Sequence, residues 1–266
     1  MLMEILTPML LLAGLGVIFG ILISVVAKKF EVPQDPKFPE VREALPGANC
    51  GGCGFAGCDA YAKAVCAGEA PITACVVGGT AVSRKIGQIM GVEESSFEKK
   101  VAYVQCSGDT SHALDKMRYD GVKHCLEATM IPGAGPKSCT YGCVGFGTCV
   151  SACKFDAIHV ENRLAVVDES KCVGCGACVK VCPKNIIKLV PQGQKVRVRC
   201  SGQDRGKDVR LVCEAGCLGC TLCVRQCPVK AISMEGNVAR IDPSKCIGCL
   251  ACVEKCPAKV IHVYED

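Results

Sequence analysis

The chain has 266 residues, half of them hydrophobic, yet it holds no tryptophan and only 5% aromatics, so the usual bulky core formers are scarce. Its 31 basic and 26 acidic residues leave a net charge of +5 scattered along the sequence, which argues against a nucleic-acid surface and fits a mild attraction for an acidic redox partner. The 25 cysteines are odd in number and recur as triplets with two residues between neighbours, a pattern that denies every thiol an unstrained disulfide partner and points to metal-bound thiolates in a reducing compartment.

From Ile5 to Ala27 the chain runs 23 residues without a charge, enough as a helix to reach about 34 Å and cross the hydrocarbon core of a bilayer. Lys28 and Lys29 follow at once while Glu4 precedes, so the positive-inside rule predicts a single-pass anchor in the cytoplasmic membrane, with the N-terminus outside and everything after residue 28 in the cytoplasm. A cleaved signal peptide would want a basic start and a shorter apolar stretch. No ionisable side chain lies in the span, so an ion path belongs to a partner. Gly16 and Gly20 form a G-x-x-x-G pair that would let another helix come close. Residues 30–40, with three prolines, read as an extended tether.

A glycine-rich stretch then carries Cys50, Cys53 and Cys58, with Cys75 sixteen residues further on. Glycines between thiols let backbone N–H groups approach and hydrogen-bond cluster sulfur. Asp59 is expected to cap a short helix ending at Gly68, and Thr80 another ending near Gly91; Cys66, off the motif's spacing, reads as an inert buried thiol. Residues 91–105 read as a linker entering a strand.

The remainder is duplicated: Val104-Gln-Cys106-Ser-Gly followed by Cys125 matches Val198-Arg-Cys200-Ser-Gly followed by Cys213. Each copy delivers two cysteine runs. Three of them, Cys172/Cys175/Cys178/Cys182, Cys217/Cys220/Cys223/Cys227 and Cys246/Cys249/Cys252/Cys256, have the C-x2-C-x2-C-x3-C-P spacing of a bacterial ferredoxin. Zinc sites draw two C-x2-C pairs from separated segments, whereas three thiols on one tight loop plus a fourth before proline match a [4Fe–4S] cubane. The leading run of the first copy, Cys139/Cys143/Cys149/Cys153, is stretched, and Lys154 replaces the proline.

In two-cluster ferredoxins the fourth cysteine of each run ligates the other run's cluster. The expected quartets are therefore Cys139/Cys143/Cys149/Cys182, Cys172/Cys175/Cys178/Cys153, Cys217/Cys220/Cys223/Cys256 and Cys246/Cys249/Cys252/Cys227. With Cys50/Cys53/Cys58/Cys75 they make five [4Fe–4S] clusters. Cys106, Cys125, Cys200 and Cys213 remain. They read as structural thiols, with a sixth cluster between the copies as the alternative their repeat-related positions leave open. Alternating apolar segments at 157–160, 164–167, 231–234 and 260–263 predict short strands after the runs; His159 and His262 on them read as edge residues.

The expected fold is α+β: an N-terminal transmembrane helix (1–29), a linker (30–40), a small four-cysteine iron–sulfur domain (41–100) and two tandem ferredoxin modules, 101–190 and 191–266, with two clusters each. No strand-linked G-x-G-x-x-G is present, and the stretch Gly133-Ala-Gly-Pro-Lys-Ser138 lacks P-loop spacing, so no NAD or flavin site is expected on this chain. Nor is there a nucleophile–base pair; no catalytic residues are assigned and the chemistry is electron transfer.

An uncharged N-terminal helix, the motif LPGANCGGCGFAGCDAYA, Cys75 with Val-Val-Gly-Gly after it, and tandem ferredoxin runs together resemble the B subunit of the Rnf complex over nearly the whole chain. The four-Cys motif at Cys50, Cys53, Cys58 and Cys75 looks like the cluster domain of that family, also found in corrinoid iron–sulfur proteins. The resemblance implies a membrane complex that oxidises reduced soluble ferredoxin, reduces NAD and moves sodium ions or protons, with this subunit taking in the electrons and other subunits holding NAD, FMN and the ion path. The tandem modules and the stretched run depart from the simplest family members. The alternative is a tethered polyferredoxin serving a different membrane reductase or a redox-sensor reducing system.

Overall fold

The computed structural model describes residues 2–29, 35–92 and 98–264. Part of the tether (30–34) and part of the linker before the first strand (93–97) lie outside the described residues. Leu2–Lys29 is one 28-residue helix. Its side chains are described at Met9 and over 13–26, all of them exposed, and among the described residues no helix is long and apolar enough to cross a membrane.

Three helices, Phe38–Ala44, Cys58–Cys66 and Gly79–Met90, close the first globular unit around Val41, Tyr61 and Ile86, each at most 1% exposed. The helix ends differ in part from expectation. Asp59 does not cap Cys58–Cys66 but pairs with Arg42, and the Cys58 N–H is taken by Asn49 Oδ1 at 2.8 Å. Thr80 makes no cap bond either, whereas Gly91 ends its helix in the left-handed conformation at φ +74°, as a glycine C-cap does.

Two copies of one small β-architecture follow. In the first, β1 (Lys100–Val104) pairs antiparallel with the copy's last strand, and a hairpin of β2 (Ile158–Glu161) and β3 (Leu164–Val167) lies between them in sequence. That last strand is β4 (Ile187–Pro191), in register Lys100↔Pro191 to Val104↔Ile187. In the second, β5 (Val196–Val198) pairs with the final strand, and β6 (Ile232–Glu235) and β7 (Val238–Ile241) form the hairpin. The final strand is β8 (Ile261–Val263), in register Val196↔Val263 to Val198↔Ile261. Asn162 and Arg163 turn the first hairpin with positive φ at both positions, the geometry that matches strand twist. The strands expected after the runs are present as β2, β3, β6 and β8.

Each copy has its own apolar core, one built on Val101, Ile158 and Ile187, the other on Val196, Val238 and Ile261, and cysteines complete both. The copies dock along a short backbone seam: Leu114 N–H donates to Val212 O at 3.1 Å, and Glu214 N–H to His112 O at 2.8 Å. Arg197, 1% exposed, reaches from β5 to Glu169 of the first copy.

Candidate iron–sulfur sites

In the N-terminal unit the loop 47–57 carries left-handed φ at Gly47, Asn49, Gly51 and Gly54, which winds it tightly enough to aim Cys50, Cys53 and Cys58 at one point. Cys75 approaches from the segment before Gly79–Met90. Burial pushes the Cys75 thiol up, and the charges of Cys58, Cys53 and Cys50 add to the shift, so all four sulfurs share one neighbourhood. The Gly52 N–H points to Cys50 Sγ at 3.5 Å. Cys66 lies half-buried on the following helix, apart from this set.

Cys172, Cys175, Cys178 and Cys153 also converge. The Cys178 thiol is pushed up to about 12 by burial first and then by the charges of Cys172, Cys175 and Cys153. Ala102 on β1 donates its N–H to Cys172 Sγ at 3.4 Å. This site adjoins the N-terminal one: a Cβ placed on Gly52 would lie 3.1 Å from Cys175 Cα.

The next site departs from expectation. Its cavity is walled by Cys143, Cys149, Cys182 and Cys125, not Cys139. Cys149 rises to about 12 through burial, then through Cys143, Cys125 and Cys182. The reason is visible in the repeat. Cys143-x5-Cys149-x3-Cys153 has the spacing of Cys217-x5-Cys223-x3-Cys227, so Phe146 stands where the second copy has Cys220. Cys125, on the helix Cys125–Thr129, stands beside that vacant corner, fixed by a Cys125 N–H to Thr148 Oγ1 bond of 2.8 Å. Cys139 instead lines a separate cavity with Cys106, Cys200 and Cys213. The four leftover thiols therefore do not form one group, because Cys125 has gone elsewhere. The usable sequence signal was Cys139-x2-Gly-Cys143 repeating as Cys213-x2-Gly-Cys217.

In the second copy Cys217, Cys220, Cys223 and Cys256 surround one cavity. Cys252 is pushed up to about 11 by burial and then by Cys246, Cys249 and Cys227, the last expected quartet. Ala231 donates its N–H to Cys227 Sγ at 3.3 Å.

Among the described residues no group of three or more His, Cys, Asp or Glu closes tightly enough for a single metal ion. Four soft thiols spread around an apolar cavity suit a polynuclear iron–sulfur cube, whose corners hold thiolates further apart than one ion can. The buried thiols must lose their protons to bind it, which ties cluster assembly to pH.

A family model described as "Putative Fe-S cluster" matches residues 45–77, and 4Fe-4S dicluster domain models match 140–189, 171–232 and 210–257. The chain carries 4Fe-4S clusters. It is 49% identical to the B subunit of the Na(+)-translocating ferredoxin:NAD(+) oxidoreductase complex of Acetobacterium woodii, over 92% of this chain and 74% of that protein. It is 42% identical to the B subunit of the ion-translocating oxidoreductase complex of Methanosarcina acetivorans, over 88% and 89%. It is 45% identical to the B subunit of the proton-translocating ferredoxin:NAD(+) oxidoreductase complex of Clostridium ljungdahlii, over 86% and 81%. With likeness of this degree along most of both sequences, and 4Fe-4S domains where the thiols gather, the chain belongs to the B-subunit family of Rnf-type ion-translocating ferredoxin:NAD(+) oxidoreductase complexes.

Proposed function

We propose that this chain is the electron-entry subunit of an ion-translocating ferredoxin:NAD oxidoreductase, with five [4Fe–4S] clusters held by Cys50/Cys53/Cys58/Cys75, Cys153/Cys172/Cys175/Cys178, Cys125/Cys143/Cys149/Cys182, Cys217/Cys220/Cys223/Cys256 and Cys227/Cys246/Cys249/Cys252. When bound, each cluster stores and releases one electron. The observation that carries the reading is the succession of thiol groups from one end of the globular part to the other. Cys220 and Cys249, in the second module, are the two exposed cysteines of the 25. At the other end, the charge of Cys50, in the domain that follows the tether, acts on Cys175 of the first module.

Electrons enter from soluble ferredoxin at the Cys220–Cys249 edge, where the exposed Arg225, Lys245 and Lys255 favour an acidic donor. They leave through the N-terminal domain to membrane and peripheral partner subunits that hold NAD, flavin and the ion path. Within the chain, backbone N–H groups stabilise thiolate charge, and glycines let them approach.

Ile5–Ala27 anchors the subunit in the cytoplasmic membrane, single-pass, with the cluster domains inside the cell. Supporting this are the uncharged sequence, the helical backbone and the exposure of Leu15, Ile18, Phe19, Ile21, Leu22 and Ile23, each at least 48%, an apolar surface larger than soluble proteins tolerate. Membranes lacking the chain are expected to lose ferredoxin-dependent NAD reduction; unchanged activity rejects the role. Deleting residues 1–29 is expected to release the chain from membranes, and a truncated chain still bound there would put partner docking in place of the anchor.

A further inference from the structure

We propose that Cys106, Cys139, Cys200 and Cys213 hold a sixth [4Fe–4S] cluster at the seam between the two ferredoxin modules. Each module supplies two thiols from repeat-related positions. Cys106-Ser-Gly answers Cys200-Ser-Gly, and Cys139-x2-Gly-Cys143 answers Cys213-x2-Gly-Cys217, so the site is a pseudo-twofold composite that neither module can form alone.

The four thiols line one pocket, as Cys125/Cys143/Cys149/Cys182 and Cys217/Cys220/Cys223/Cys256 line theirs. Their closeness is marked by the glycines beside them. A Cβ on Gly108 would sit 3.4 Å from Cys213 Sγ and 3.6 Å from Cys106 Sγ; one on Gly142 would sit 3.5 Å from Cys139 Sγ and 3.6 Å from Cys106 Sγ. The wall is therefore open backbone at the points where a cluster's sulfides would pass.

Backbone donors repeat as well. Gly108 and Cys143 both give N–H to Cys106 Sγ at 3.4 Å, and Gly202 and Cys217 both give N–H to Cys200 Sγ at 3.3 Å. Two N–H groups on one sulfur favour the ligating thiolate over the thiol. Arg199 and Asp204 are the charged side chains on the wall, and Arg199 Nε is buried without a hydrogen-bond partner. A guanidinium so placed suits an anionic occupant.

The competing readings fit less well. Inert packing thiols need neither paired N–H donors nor an arginine on the cavity wall, and a zinc ion needs ligands closer than these: among the described residues no such group closes on a single metal. A cube spans the greater separation.

Position gives the site its role. Cys143 and Cys217, which donate to the seam sulfurs, are themselves cysteines of the flanking quartets, so the seam is one hydrogen bond from the leading site of each module. One electron passes from a reduced cluster of one module to the seam cluster and on to an oxidised cluster of the other; the seam cluster ends as it began, and no atom or proton moves. Only this direction of flow rests on the reading of the chain as an entry subunit. The existence of the cluster does not.

The test is chemical and needs no donor assay. The full chain, purified without oxygen, is expected to contain iron and acid-labile sulfide for six clusters. Cys139→Ala and Cys200→Ala should each lose about four irons and four sulfides together with one signal in the spectrum of the reduced protein, while Cys66→Ala loses none. Iron and sulfide for five clusters in the unsubstituted chain, or one zinc per chain with unchanged sulfide, overturns the proposal, whether or not either variant folds.

Discussion

Ser107 Oγ and His262 Nε2 lie 3.2 Å apart, the first from one ferredoxin module and the second from β8 of the other. Burial, followed by the charge of Arg199, holds the His262 imidazole below its ordinary value of 6.5. A depressed pKa means that the folded chain favours the neutral ring. This contribution is whole above pH 6.5 and is lost as the pH falls through the lower folded value. The thermal midpoint of the chain is therefore expected to fall on acidification from pH 6.5, and His262→Gln, which keeps a neutral hydrogen-bonding group, should flatten that slope. An unchanged slope in the variant would place the acid sensitivity elsewhere.

Phe146 packs against the small cluster of Cys125, Ala128 and Val144, and it stands in the register of Cys220. If Cys125 replaces the absent second thiol of the run, Cys125→Ala should lose about four irons and four sulfides. Adding Phe146→Cys should restore them. Failure of the double variant to recover iron would mean that position 146 does not reach the same corner of the site.

The duplication and the strands after the runs were legible from the sequence, because repeat spacing and strand alternation are local properties. The exchange of Cys125 for Cys139 was not. Cys125 reaches its cavity only because the excursion 105–138 folds back and Thr148 anchors the helix Cys125–Thr129, a tertiary event with no local period. The Cys139-x2-Gly-Cys143 repeat is present in the sequence but is masked when Cys139 is taken as the first member of the stretched run. Asp59 failed as a cap for a similar reason: Arg42 draws its carboxylate away, and Asn49, nine residues before Cys58, bonds the N–H at the start of the helix.

Gly174 and Gly248 occupy the same place in two ferredoxin runs, each with φ +69°, but their surroundings differ. A Cβ on Gly174 would meet the Lys100 carbonyl oxygen at 2.3 Å, whereas nothing lies within 4 Å of one on Gly248. Gly248→Ala should then show only the left-handed penalty of about 1–2 kcal/mol. Gly174→Ala must also push β1 aside, and is expected to lose roughly 3 kcal/mol or more. Denaturant unfolding of the two variants checks this; equal losses would show that β1 yields without resistance.

Among the described residues Arg197 is the largest fully buried side chain, held by Glu169, by the Gln194 carbonyl at 2.8 Å and by the Tyr264 ring at 4.3 Å. Glu169→Ala leaves the guanidinium without its counter-charge and should destabilise the chain by about 3 kcal/mol, the lower end for a broken buried pair because Glu169 is partly exposed. Arg197→Lys cannot reproduce the two-pronged contact and should fare little better. The double variant Arg197→Met/Glu169→Ala should lose less than the sum of Arg197→Met and Glu169→Ala, since no unpaired charge remains, and unfolding of the two single variants and the double reads the coupling directly. Additive losses would mean that the pair contributes nothing beyond its packing.

In the proposed electron path Gly52 lies at the exit. A Cβ there would meet Val76 Cγ2 at 2.9 Å, Cys175 Cα at 3.1 Å and Cys175 Cβ at 3.2 Å, so the N-terminal domain seats against the Cys153/Cys172/Cys175/Cys178 site through bare backbone. Widening this contact lengthens the step between two thiol groups without removing a ligand from either. Gly52→Ala is therefore expected to retain its iron and sulfide while ferredoxin-dependent NAD reduction falls several-fold. Adding Val76→Ala, which removes the nearest obstructing methyl, should restore much of the rate. Loss of iron from Gly52→Ala would show that the glycine serves the ligand loop itself, and a normal rate with full iron would show that electrons do not leave by way of Cys175.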